Sequence, residues 1–143
     1  LAARKREITV FGGKQMRPNL HIKDMCNFYE FLLEADPILV GNKTFNISDE
    51  NISIENMALK VQDIFKKKYN LEISIKKVES EDDKRSYHLN SDKIKKDLNF
   101  SLKYSVDDAI MDIYSLLQSP KFDDSLVNDI YYNIKTLKKL EIT

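Results

Sequence analysis

The chain has 143 residues, enough for one domain with a real core, and its 42% hydrophobic and 32% charged content excludes a disordered tail. Lysines and arginines number 23, as do aspartates and glutamates, so the formal charge is zero; this argues against a general nucleic-acid or anionic-membrane binder and leaves room for a local anion site. Cys26 is the lone cysteine, so no internal disulfide forms, and no apolar run approaches the roughly 20 residues of a membrane span.

Arg4, Lys5, Arg6 and Glu7 precede only a brief apolar strand, which does not make a signal peptide; a soluble, cytoplasmic protein is expected. Leu1 to Lys5 read as the end of a helix already in progress, so the expectation is a piece of a longer protein. Ile8, Val10 and Phe11 predict a strand running into a Gly12–Gly13 turn. Asp24 is the expected N-cap of a helix carrying Met25, Phe28, Leu32 and Leu33 on one side. Pro37 and Gly41 break the chain before a short strand expected over 44–47. Ile54, Met57, Ala58, Val61, Ile64 and Phe65 recur at helical spacing after Ser53, and Lys66, Lys67 and Lys68 in the last turn complement the helix dipole.

Residues 71–78 alternate Leu71, Ile73 and Ile75 against Glu72, Ser74 and Lys76, the pattern of a half-buried strand. A polar loop is expected over 79–84 and a brief strand at Tyr87, His88 and Leu89; Asn90 or Ser91 would then cap a helix bearing Ile94 and Leu98. Ser105 and Asp108 have capping-box spacing before Val106, Ala109, Ile110, Ile113 and Leu117. After Pro120, the residues Leu126, Ile130, Ile134, Leu137 and Leu140 predict a final amphipathic helix. Alternating strands and helices give an α/β class, or α+β for an isolated piece. Three glycines, Gly12, Gly13 and Gly41, cannot make the Gly-rich dinucleotide fingerprint.

Two strings carry the chemistry. Gly12 to Met25 and Asp82 to Phe100 each contain an arginine, Arg17 or Arg85, ahead of a strand-like stretch and a capped helix. An arginine presents a planar, permanently charged fork that suits a phosphate. Neither string contains a catalytic constellation, so the chain reads as the substrate-gripping part of an enzyme whose chemistry lies elsewhere.

These strings resemble the C-terminal region of the extended short-chain dehydrogenase/reductase family, the NAD-dependent epimerases and dehydratases of nucleotide-activated sugars. Gly13 and Arg17 match the family's Gly-x-x-x-Arg, and His21, Ile22 and Asp24 its His-(Val/Ile)-x-Asp. Phe45-Asn46-Ile47 and Ser53-Ile54-Glu55 follow in family order. Asp83, Arg85 and Tyr87 match Asp-x-Arg-x-Tyr, and Lys93, Ile94, Leu98, Asn99 and Phe100 match the helix after it, with Asn99 in place of the usual glycine. The resemblance spans roughly residues 7 to 117.

Several expectations follow from it. Residues 1–143 would be a C-terminal substrate-binding region, including elements that pack on a missing N-terminal Rossmann domain. The parent enzyme would use NAD or NADP and a Tyr-x-x-x-Lys pair upstream of Leu1. This piece alone would bind no cofactor and be inactive. Arg17 and Arg85 would clamp the diphosphate of a nucleotide sugar, Asp83 would contact the ribose and Tyr87 would wall the pocket. Apolar surface around Met25, Phe28, Leu32 and Phe45 would be exposed without its neighbour, favouring homo-oligomers. The alternative is a stand-alone, non-catalytic nucleotide-binding or protein-interaction module.

Each residue also has a plainer reading. Arg17 would then be a surface or inter-strand ion-pair arginine, Asp83 a loop acid and Tyr87 a core residue. His21 and His88 lack metal-ligand partners at useful spacing and read as structural. Asp24 reads as a cap rather than a catalytic acid, and Lys93 as a solvated or locally paired helix residue. Tyr131 and Lys135 satisfy Tyr-x-x-x-Lys by count but lie downstream of every family landmark, so Tyr131 reads as packing. The glycosylation-like sequons at Asn42, Asn46, Asn51 and Asn99 read as chance.

Overall fold

A computed structural model describes residues 1–79 and 85–140. A one-turn helix, α1 (Ala2–Lys5), ends at Arg6 in the left-handed conformation and gives way to β1 (Glu7–Phe11). The Gly12–Gly13 turn follows, with φ of 70° and 112°. A side chain at residue 13 would press on Val10 Cγ1 at 3.2 Å and Glu55 Cβ at 3.3 Å, so glycine answers both the backbone and the crowding. Beyond the turn lie β2 (Met16–Asn19), α2 (Ile22–Glu34), α3 (Pro37–Val40), β3 (Glu50–Ser53) and α4 (Ile54–Tyr69). The chain continues through β4 (Ser74–Val78), α5 (Asp92–Leu98), α6 (Val106–Leu116) and α7 (Asn133–Lys139).

The strands form two pairs. β1 and β4 run parallel, with Glu7 opposite Ser74 and Phe11 opposite Val78. β2 and β3 run antiparallel, with Arg17 opposite Ile52 and Pro18 opposite Asn51. Ser53 ends β3 and caps α4, accepting a hydrogen bond from the Asn56 amide at 3.1 Å. Asn70 and Asn99 close α4 and α5 in the left-handed conformation, each with φ of 52°. The capping box at Ser105 and Asp108 opens α6 as the spacing predicts.

Phe28 of α2 and Ile94 and Leu98 of α5 form a buried cluster. Phe31, Phe45, Ile47, Phe100 and Leu102 pack around it, and the Phe28 and Phe100 rings lie 5.0 Å apart. This corrects one expectation. Phe28 is 4% exposed because α5 covers it, and the apolar side chains that α2 shows to solvent are Ile22, Tyr29 and Leu33.

Other elements also depart from the sequence reading. Residues 44–47 form no strand, because no neighbouring strand pairs with them among the described residues. Lys93 holds this segment instead, donating to the Thr44 carbonyl at 2.8 Å with its ammonium 4.7 Å from the Phe45 ring centroid. The strand expected over 71–78 begins only at Ser74, where its partner β1 begins to pair. Tyr87, His88 and Leu89 form no strand. The final helix is confined to α7, since Asn128 caps a separate 3-10 turn at Asp129–Tyr131 and Tyr132 is extended (φ −125°, ψ 97°).

Candidate substrate-binding site

Two segments far apart in sequence meet at β2. Arg17 lies within that strand rather than ahead of one. Its Nη1 donates to the Met16 carbonyl at 2.8 Å and also to the Arg85 carbonyl. The guanidinium carbon stands 5.3 Å from the centroid of the Tyr87 ring, and Tyr87 is 50% exposed. Arg17, Arg85 and Tyr87, singled out separately in the sequence, therefore share one surface. Asp83 lies outside the described residues.

Several hydrogen bonds besides Arg17's own fasten residues 85–89 to the β2–β3 ribbon. The Met16 amide donates to Ser86 Oγ at 3.0 Å, and the Tyr87 amide reaches the Met16 carbonyl at 3.4 Å. The Asn51 side chain donates from Nδ2 to the Leu89 carbonyl and accepts from the Leu89 amide at Oδ1, both at 2.9 Å. Sequence reasoning missed Asn51 and Ser86. Both act on main-chain groups, so no partner residue type betrays them in the sequence.

Downstream of Arg17 lies a second polar cluster with a different character. His21, 3% exposed, stacks on Tyr104 at 4.8 Å and caps α2 by accepting the Lys23 amide at Nδ1, 3.1 Å away. The expected cap, Asp24, is instead fully buried one turn on. Its carboxyl accepts from the Lys103 amide at 3.0 and 3.1 Å and from the Tyr104 amide at 2.9 Å. His21 could take the capping role because Asp24 is committed to the chain leading into α6.

Asp112 of α6 lies at the edge of this cluster. One of its oxygens accepts from Lys23 Nζ at 2.6 Å and stands 3.5 Å from His21 Nε2. The Lys23 hydrogen bond holds the Asp112 carboxyl below the usual aspartate range, and the same bond raises the Lys23 ammonium. Asp108 is also depressed, chiefly by the Ser105 hydroxyl and then by the Ser105 amide. On the other side of α6, Lys60 is raised by Asp107 and pairs with Glu50 as well. Burial, with Glu50 next in weight, raises Asp49.

A groove of about 540 Å³ runs beside the cluster between Leu20, Ile22, Ala109, Ile113 and Leu116. Among the described residues no group of three or more His, Cys, Asp or Glu could hold a metal ion. His88 is exposed. Tyr131 packs against Phe122, with ring centroids 6.1 Å apart. Lys135 pairs with Asp129 at 3.4 Å and lies over Tyr132 at 4.5 Å, in keeping with a packing role.

No family model and no curated protein matches the sequence. Solved structures do share its fold. L-threonine dehydrogenase from Phytophthora infestans superposes with a TM-score of 0.66 at 15% identity, over 82% of this chain and 38% of that one. UDP-N-acetylglucosamine 4-epimerase from Bacillus cereus gives 0.63 at 23% identity, over 82% and 41%. dTDP-glucose 4,6-dehydratase from Bacillus anthracis, solved in complex with NAD, gives 0.59 at 18% identity, over 80% and 35%. The chain thus spans about two-fifths of the length of these proteins and has the fold of their C-terminal part, the fold class expected from the two strings.

Proposed function

We propose that this chain is the C-terminal, substrate-binding portion of an NAD-dependent extended short-chain dehydrogenase/reductase acting on a nucleotide-activated sugar, and that Arg17 and Arg85 grip the diphosphate. The observation that carries the reading is the meeting of Arg17 with the Arg85 carbonyl and the Tyr87 ring, from strings read independently as anion-binding. Two arginines from adjoining segments could between them satisfy several diphosphate oxygens, since each guanidinium carries five N–H donors. The half-exposed Tyr87 ring offers a flat wall beside them.

The residues here do not fit a dinucleotide cofactor. The Gly12–Gly13 turn leads into a strand rather than a helix, so it makes no phosphate cradle at a helix N-terminus. Cofactor binding and the proton-transferring pair belong, on this reading, to an upstream domain. The present chain orients substrate, and alone it is inactive. Residues 44–47, which have no partner strand among the described residues, are where that domain's sheet would add on.

The likeness to L-threonine dehydrogenase favours a second reading, in which the same fork takes a substrate carboxylate. Calorimetric titration of the full-length protein separates the two. UDP or dTDP should bind, and Arg17→Ala should weaken that binding about tenfold or more, the loss of one charge-assisted contact of about 1.4 kcal/mol. L-Threonine binding that depends on Arg17, with no nucleotide binding, would favour the second reading. If neither ligand responds to Arg17→Ala, the anion-grip reading fails.

A further inference from the structure

We infer that Asn51 is a positioning residue for the Arg17–Arg85 grip: its carboxamide sets the strand-side distance of the segment that carries Arg85 and Tyr87. The inference rests on the anion-grip reading and assigns the part that fixes its geometry.

Asn51 sits opposite Pro18 in the β2–β3 register, one position from the pair Arg17–Ile52. Its Nδ2 donates to the Leu89 carbonyl and its Oδ1 accepts from the Leu89 amide, both at 2.9 Å. A carboxamide presents a donor and an acceptor side by side as a peptide group does, so Asn51 pairs with one residue of residues 85–89 as a short strand would. Aspartate has no donor, and glutamine is one methylene longer. Serine has the wrong reach for two simultaneous bonds.

The other end of the segment is tied by Ser86 Oγ to the Met16 amide at 3.0 Å. Tyr87 lies between the two ties, beneath Arg17. Residues 85–88 are all exposed, and Leu89, the residue Asn51 holds, is half-buried. Exposed chain on the rim of a strand pair gains little from burial and is ordered here by polar contacts. Removing Asn51 takes away both bonds to Leu89, while the Ser86 bond, the long Tyr87 amide contact and Arg17's own bond to Arg85 are among the ties that stay.

The test pairs hydrogen exchange with ligand binding in the full-length protein. In Asn51→Ala, peptides covering 85–90 should exchange about tenfold faster while peptides from β1, β4 and α4 keep wild-type rates. UDP should bind about tenfold more weakly; if turnover is measurable, KM should rise with kcat little changed. Asn51→Asp keeps the acceptor for the Leu89 amide and should restore much of the protection, which guards against a variant that merely misfolds. Unchanged exchange over 85–90 in Asn51→Ala would overturn the inference. So would faster exchange with unchanged UDP affinity while Arg17→Ala still loses binding, which would spare the anion grip. A wild-type protein that binds no nucleotide sinks the grip itself and the positioning role with it.

Discussion

Arg17 and Asp24 stand seven residues apart, yet the structure uses their charges in opposite ways. Asp24 is fully buried, and its partners are the backbone amides of Lys103 and Tyr104. Arg17 lies at a strand edge, meets a carbonyl and an exposed ring, and borders solvent. A polar group whose bonds are closed by backbone in the interior holds the fold. On the proposed reading, a planar charge placed where two segments meet at the surface holds a ligand. Residue type and proximity in sequence did not separate the two environments; burial and the identity of the partner do.

That contrast is most easily broken from the structural side. Asp24→Ala leaves the Lys103 and Tyr104 amides buried without an acceptor, and the expected loss is about 2–4 kcal/mol in denaturant unfolding. Asp24→Asn should cost less, since one oxygen remains, and nucleotide affinity extrapolated to fully folded protein should be unchanged. Arg17→Ala should do the reverse, with about tenfold weaker nucleotide binding and a small change in unfolding midpoint.

A smaller effect sits at the α6 end of the cluster. Asp108 and Asp112 both titrate below the ordinary 3.8 in the folded chain, by way of Ser105 and Lys23. A carboxyl depressed by folding adds stability above its unfolded value, and that stability disappears as pH falls through the lowered folded value. Thermal midpoints of wild type and Asp112→Asn should therefore differ at about pH 5 and converge as the pH drops below about 3. A difference that persists undiminished in acid would show that the Lys23 contact is not its source. Smallest of all, Asn99→Gly should stabilise the chain by a few tenths to about 1 kcal/mol, because Asn99 holds a φ of 52° that costs glycine less. Unfolding midpoints would register it.

Local signals were the legible part of this sequence. Ser53, Asn99 and the Ser105–Asp108 box mark helix ends through contacts a few residues away, and each stands where its pattern predicts. Arg17 and Arg85 were legible as anion-binding types and Tyr87 as core or pocket wall, but their meeting was not, since it depends on a strand pair containing Pro18 at an edge. Asp24 was misread because a cap and a buried acceptor use the same oxygen atoms. The helix expected after Pro120 failed because its apolar spacing was helical while Asn128 offered the backbone a competing bond. Asn51 gave no signal, since a side chain that binds backbone needs no matching residue.

The Asp24 contact also says something about the order of events during synthesis. Its partners are 79 and 80 residues further along, Arg17 finds Arg85 after 68, and β1 waits for β4. Loops of that length close slowly, and topologies built on them fold late. Residues through 78 must therefore be made before β1 can pair with β4, and residues through 104 before Asp24 meets both of its amides. A stall before Tyr104 would release a chain with helices already capped and their junction open, the form in which unpaired edges find the wrong partner.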